Sequence, residues 1–159
     1  LPLLWQRTPI DPAAVGLSLS IEKLEDFKKK FVEVIESDTG GSFPEPTLQI
    51  AAVIQQDELQ ENLLSDLSNL APFGQENPEP ILSLQKIRLA YEPKKVGTGE
   101  HFQFSVHNGN RTISGIAWNM GDRIPPSTTD IDLAFRLRWN SWNGRKTPQM
   151  VLEDWRISD

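Results

Sequence analysis

The chain has no cysteine, only two histidines and two methionines, and a single tyrosine among 159 residues. The missing cysteine excludes thiol nucleophiles, thiolate metal sites and a disulfide framework, and it suits a reducing cytosol, so a cytoplasmic location is expected. The two histidines, His101 and His107, fall on one predicted strand six positions apart. That separation is about 20 Å at roughly 3.3 Å per residue, too far to share one ion. No apolar run is long enough to span a bilayer, and no signal-peptide pattern is present, so no membrane partner is expected. There is no internal repeat and no low-complexity tract. The first residue is Leu1 rather than Met, which leads us to expect a piece of a longer chain.

Positive charge is scarce in one half only. Residues 1–80 hold 5 Lys/Arg against 14 Asp/Glu, whereas residues 81–159 hold 11 against 8 and four of the five tryptophans. The net charge of −6 therefore hides a second half whose balance and aromatics suit a polyanion. An acidic helical first half is also what ordinary solvation produces.

Ile21–Ser37 sets Leu24, Phe27, Phe31, Val34 and Ile35 on one stripe at helical spacing, with Ser20 as the N-cap residue. Asp38–Pro46, "DTGGSFPEP", ends that helix as a linker. Thr47–Ile54 is a predicted strand, and Asp57–Leu70 a second helix with Leu59, Leu63, Leu64, Leu67 and Leu70 inward. The following "LAPFGQENPEPIL" (Leu70–Leu82) is rich in Pro and Gly. Ala71 precedes Pro72 and must leave helical space, Gly74 is expected to take the positive φ of a helix C-cap, and Phe73 to plug the packing beneath. Asn77-Pro78 and Glu79-Pro80 hold the chain extended into the next element.

From Ile81 the apolar period becomes two. Ile81–Ala90, His101–His107, Arg111–Trp118, Ile131–Trp139 and Pro148–Ile157 are predicted strands. Asn-Gly in "HNGN" and "WNGR" signals two tight hairpins. The expected fold is mainly β with α: a five-stranded antiparallel OB-like barrel preceded by two helices and a short strand.

Enzymatic readings fare poorly on the residues themselves. Asp57-Glu58 and Glu153-Asp154 are adjacent carboxylates, which do not converge on one substrate atom. "GTGEH" (Gly97–His101) lacks a following helix and reads as a loop tip rather than a phosphate loop.

"LAPFGQENPEPIL" followed about sixty residues later by "WNGRKTPQMVLEDWR" (Trp142–Arg156) resembles the C-terminal part of the bacterial RecJ single-strand DNA exonucleases. The resemblance runs from roughly Pro12 to Ile157. It implies that residues 1–42 are the end of a DHH-associated domain and residues 43–159 an OB-fold domain. It also implies a parent 5′–3′ exonuclease whose metal-dependent DHH domain is absent from this chain. No cofactor is expected in the chain itself; Mn or Mg belongs to the missing catalytic domain. The implied partners are single-stranded DNA, that catalytic domain and a single-strand-binding protein. "PAAVGLSL" (Pro12–Leu19) resembles the end of a family motif whose preceding Gly-Gly-His is replaced here by Pro9-Ile10-Asp11. That departure admits a sequence junction or an inactive homologue whose barrel binds a protein.

Single strands are held by a positive groove and aromatic faces on which bases stack. In an OB fold the second and third strands and the loops after the first and fourth do this. Lys94 and Lys95 are the candidates on the first of these loops, Arg111, Arg136 and Arg138 on outward strand faces, and Trp142, Arg145 and Lys146 at the second hairpin. Lys94 and Lys95 also suit a solubilising loop, and Arg136 and Arg138 could pair with Asp130, Asp132 or the acidic helices. Trp142 could instead cap its hairpin. Phe102, Phe104, Trp118 and Trp139 are expected in the core.

Overall fold

The computed structural model describes residues 16–42, 47–142 and 144–159. Pro9-Ile10-Asp11 and the start of the Pro12–Leu19 motif lie outside the described residues. The chain divides into two compact units, with the boundary between Thr47 and Leu48.

In the first unit a 3₁₀ turn, Ile21–Lys23, leads into α1, Leu24–Thr39. Ser20 stands at the start of that turn but makes no side-chain cap. Gly40, at φ 62°, closes the helix by donating its N–H to Glu36 O, as a left-handed glycine does. The predicted stripe is present, with Phe27 and Phe31 stacked at 5.7 Å. Phe31 and Val34 on it are exposed.

In the second unit, β1 (Ala52–Val53) is much shorter than the predicted Thr47–Ile54. It runs parallel to β2 (Leu82–Ile87), pairing Ala52 with Leu82 and Val53 with Ser83. The expected helix over 57–70 is broken. A 3₁₀ turn, Gln56–Glu58, is closed by Glu58 accepting the Gln55 N–H at 2.7 Å, and α2 begins only at Glu61 and ends at Ser68. Leu59 explains the break, because the chain leaves helical geometry there to bury that side chain at 1 % exposure.

The stretch after α2 is ordered differently from expectation. Gly74 does not take a positive φ. Instead the Asn77 amide donates to Leu70 O (2.9 Å) and Pro72 O (3.0 Å), while Gly74 and Asn77 exchange backbone hydrogen bonds around a cis Ala71–Pro72 peptide. A side-chain amide thus satisfies the carbonyls that the glycine was expected to serve. Phe73 is 37 % exposed and is not among the side chains packed on the core.

The remaining strands are β3 (Lys94–Val96), β4 (His101–Asn108), β5 (Arg111–Ala117), β6 (Ile131–Trp142) and β7 (Arg145–Ile157). Their order is β1-β2-β6-β7-β5-β4-β3. The sheet is therefore seven-stranded, open in its ladder and mixed, not a five-stranded antiparallel barrel. The predicted leading strand, shortened to β1, joins this sheet, and β3 is the strand that adds to the predicted set. β5 and β7 pair in parallel, Ser114 with Gln149 through Ala117 with Leu152, because they belong to different hairpins. One isolated bridge, Leu89 to Val106, with Ala90 N–H on Ser105 O at 2.8 Å, links the chain after β2 to β4.

Both Asn-Gly hairpins form with two-residue turns, closed by Asn108–Arg111 and Trp142–Arg145. Gly109 and Gly144 take φ 57° and 73°, the left-handed geometry that tight hairpins require. Ile131, Leu133, Phe135 and Leu137 are buried as the alternation predicts, together with Phe102 and Phe104. A fully buried side chain such as Phe135 contributes about 1.5–3 kcal/mol. Across the sheet, Gly115 faces Phe104; a Cβ there would lie 2.1 Å from the ring, so only glycine admits the phenyl group.

Asp132 is the buried carboxylate of this unit. It accepts from the Lys86 N–H (3.1 Å), Ser158 Oγ (2.6 Å) and Arg156 Nε (2.9 Å). Burial pushes its pKa up, but those donors together hold it below the usual 3.8. The first of them fixes Lys86 at φ 51°, where β2 bulges against β6.

Candidate nucleic-acid interface

Period-two geometry sends Gln103, Ser105, Ser114, Thr147 and Gln149 to the outward face of β4, β5 and β7. They line a groove of about 840 Å³ with Ile116 at its floor, and with Tyr91, Glu92, Lys94, Trp118, Asn140 and Arg145 around it. A second groove of about 850 Å³ shares Ser105, Ser114 and Thr147 with the first and continues to Arg111 and the start of α2.

The aromatics of this face are not those the sequence selected. Trp118, expected in the core beside Ile116, is 55 % exposed. Alternation does set it on the face of Ile116, but that is the groove face; the core face of β5 is the one that Gly115 and Ala117 share with Phe104 and Phe102. Tyr91, which no motif marked, is 63 % exposed and tilts against His107 at 6.4 Å. Trp139 packs partly buried on the core, with the Lys146 ammonium 4.7 Å from its ring centroid. Trp142 ends β6 and pairs with Arg145, but the expectation for its side chain lies outside the described residues.

Among the cations, the structure makes a sharp division. Arg136 lies 3.5 Å from Glu79 and also bonds Glu153, and Arg138 holds Glu79 as well. Their partners are thus neither Asp130, Asp132 nor the acidic helices. Asp130 binds Arg88 and Asp132 binds Arg156. By contrast, Lys94, Lys95, Arg111, Arg145 and Lys146 have no carboxylate partner among the described residues. Lys94 and Lys95 are not on a loop but on β3, where Lys94 pairs with Gln103. That pairing brings Lys94 to the groove wall, on the side of Tyr91. Arg145 comes from the tight turn of the β6–β7 hairpin, and Arg111 marks the second groove.

The Gly97–His101 segment closes the β3–β4 hairpin, with Gly97 and Gly99 at φ 66° and 100°. This confirms the loop-tip reading of "GTGEH". Among the described residues, no three His, Asp or Glu side chains gather as a metal site.

Residues 50–154 match the family described as the RecJ OB domain. The chain belongs to that family. It is 23 % identical over 152 residues to the single-stranded-DNA-specific exonuclease RecJ of Bacillus subtilis, covering 93 % of this chain and 19 % of that protein. The Thermus thermophilus RecJ is 28 % identical over 117 residues, covering 72 % of this chain and 16 % of its own. The crystal structure of RecJ from Thermus thermophilus with Mn²⁺ superimposes with a TM-score of 0.64 at 25 % identity, covering 91 % of this chain and 20 % of that one. The chain thus spans about a fifth of the length of these RecJ relatives. The grooves described above, built from β3, β4, β5 and the β6–β7 hairpin, lie within the matched RecJ OB domain.

Proposed function

We propose that this OB domain binds single-stranded DNA along the outward face of β4, β5 and β7. The observation that carries the reading is the meeting, around one groove, of two exposed aromatic rings, Tyr91 and Trp118, with two cations free of carboxylates, Lys94 and Arg145. Bases stack on such rings without regard to sequence, each worth about 1–3 kcal/mol, while the cations follow the phosphates. Arg111 extends the positive path into the second groove, whereas Lys95 and Lys146, each one residue out of step with a groove residue on its strand, line neither groove. Arg136 and Arg138, held by glutamates, act as framework in this reading rather than as phosphate ligands.

The parent is proposed to be a RecJ-like exonuclease, a cytoplasmic hydrolase of DNA repair and recombination. Its DHH domain, with Mn or Mg, would receive the strand guided by this face. The unit holding α1 is read as the end of the DHH-associated domain. A single-strand-binding protein is a further proposed partner.

Titration of a fluorescent single-stranded oligonucleotide at several salt concentrations tests this, beside Trp118→Ala and Lys94→Gln. Salt-sensitive binding that both substitutions weaken supports it; wild-type affinity in both would remove DNA from this groove. A second reading, protein docking, draws on Leu48, Ile50 and Val53, exposed along the β1 edge of the sheet. Salt-insensitive DNA binding no stronger than background would favour it.

A further inference from the structure

We propose that His101 is the positioning residue of this surface: its Nδ1 holds the Trp118 turn where a base can stack. The proposal rests on the single-strand reading above and concerns a residue that touches no DNA in it.

Trp118 lies just past the end of β5, at a point where a large exposed side chain ordinarily samples several rotamers. Three contacts bear on it, two that fix the backbone of its turn and one that meets its ring. The Asn119 N–H donates to His101 Nδ1 at 2.9 Å, linking positions 18 apart. The imidazole meets the indole edge to face, with centroids 4.8 Å apart and planes at 77°. The Gly121 N–H donates to Glu100 O at 2.8 Å, an approach so close that a Cβ on Gly121 would lie 1.9 Å from Gly99 O. The turn carrying Trp118 is thereby fastened to the β3–β4 hairpin at its start and at its end.

His101 serves this arrangement in two ways at once. Its ring is a wall for the indole, and its Nδ1 is the acceptor for a backbone donor whose residue sits at a positive φ. Accepting that bond places the ring's proton on Nε2 in the neutral form. More than half of the Trp118 surface stays open, on a ring already held in place. A ring fixed before binding gives up less freedom when a base arrives, so affinity rises without any further contact.

The test is a double-substitution cycle on the whole chain, read by affinity for a labelled oligothymidylate and by the salt slope. His101→Phe keeps an aromatic wall but has no acceptor, whereas His101→Asn keeps an acceptor near the Nδ1 position but has no ring. His101→Phe should weaken binding about tenfold, within the range that one base stack spans. It should leave the salt slope unchanged, because no phosphate ligand is lost. His101→Asn should recover most of the affinity, and His101→Phe combined with Trp118→Ala should bind no worse than Trp118→Ala alone. If the phenyl ring does not fit and the protein no longer melts cooperatively, His101→Leu takes its place in the cycle.

Wild-type affinity in the acceptor-less variant, or losses that add to that of Trp118→Ala, would overturn the proposal. Undiminished binding by Trp118→Ala itself would instead overturn the single-strand reading of this groove, and the role of His101 with it.

Discussion

Arg138 grips Glu79 through two nitrogens, with Nε 2.9 Å from one carboxylate oxygen and Nη2 on the other, across 59 positions of sequence. Glu79 stands between Pro78 and Pro80, so its backbone offers little rotational freedom. The pair ties the stretch after α2 to β6, and Arg136 adds to it from the same strand. The Arg138 hydrogen bond, opposed by burial and helped by the charges of Arg138 and Arg136, holds the Glu79 carboxyl below its usual 4.5.

A carboxylate whose pKa falls on folding stabilises the protein fully above its ordinary value and ceases to do so as pH drops through the lowered one. Glu79→Gln should therefore cost about 1 kcal/mol at pH 7, a modest value because the pair is partly solvated. The difference from wild type should begin to shrink below the ordinary 4.5 and be gone once the solution is more acidic than the folded pKa. Thermal melts from pH 7 to pH 3 measure both ends of that range.

Carboxylate pairing should also decide which cations DNA feels. Each phosphate neutralised on a single strand steepens the dependence of log affinity on log salt by about 0.7. Lys94→Gln and Arg145→Gln should each reduce the slope by about that amount, whereas Arg138→Gln should leave it nearly unchanged. Fluorescence titrations at four or five salt concentrations separate these outcomes; equal reductions from all three would refute the division.

Gly115→Ala tests the packing under the groove. The added methyl would meet the Phe104 ring at 2.1 Å, and Phe104 is itself buried in the core. Overpacking of this kind costs about 1–3 kcal/mol. Urea denaturation should show a lower midpoint with an unchanged slope, and a second change of Phe104→Leu should return part of the loss.

The hairpins and the core were legible in the sequence because their signals are local. The Asn-Gly signals named both hairpins, although the first turns on Gly109-Asn110 between the paired Asn108 and Arg111, and alternation from Ile131 to Leu137 named the buried row. β3 escaped notice because Lys94-Lys95-Val96 offers one apolar side chain and is strand only through its pairing with β4. Trp118 was misplaced because the apolar Ile116 made their shared face read as core, whereas it is the face that lines the groove. Tyr91 carried no signal, since a lone tyrosine beside a proline reads as loop. The partners of Arg136 and Arg138 lie too far along the chain for spacing to reveal. The candidate groove therefore emerged mostly from topology, and only Lys94 and Arg145 of its four leading residues were among those selected beforehand.

The parallel contact of β5 with β7 has a consequence for how the domain is assembled and how it may be divided. Each hairpin, β4–β5 and β6–β7, can close by itself, but β2 finds its antiparallel ladder only on β6, with Leu82 opposite Phe135. No cut of the chain between Ile87 and Ile131 leaves both pieces with their ladders complete. The second unit is in this sense indivisible: truncation from the C-terminal side removes the partner of β2 and of β5 together, so a shortened domain would lose its groove and its core in the same step.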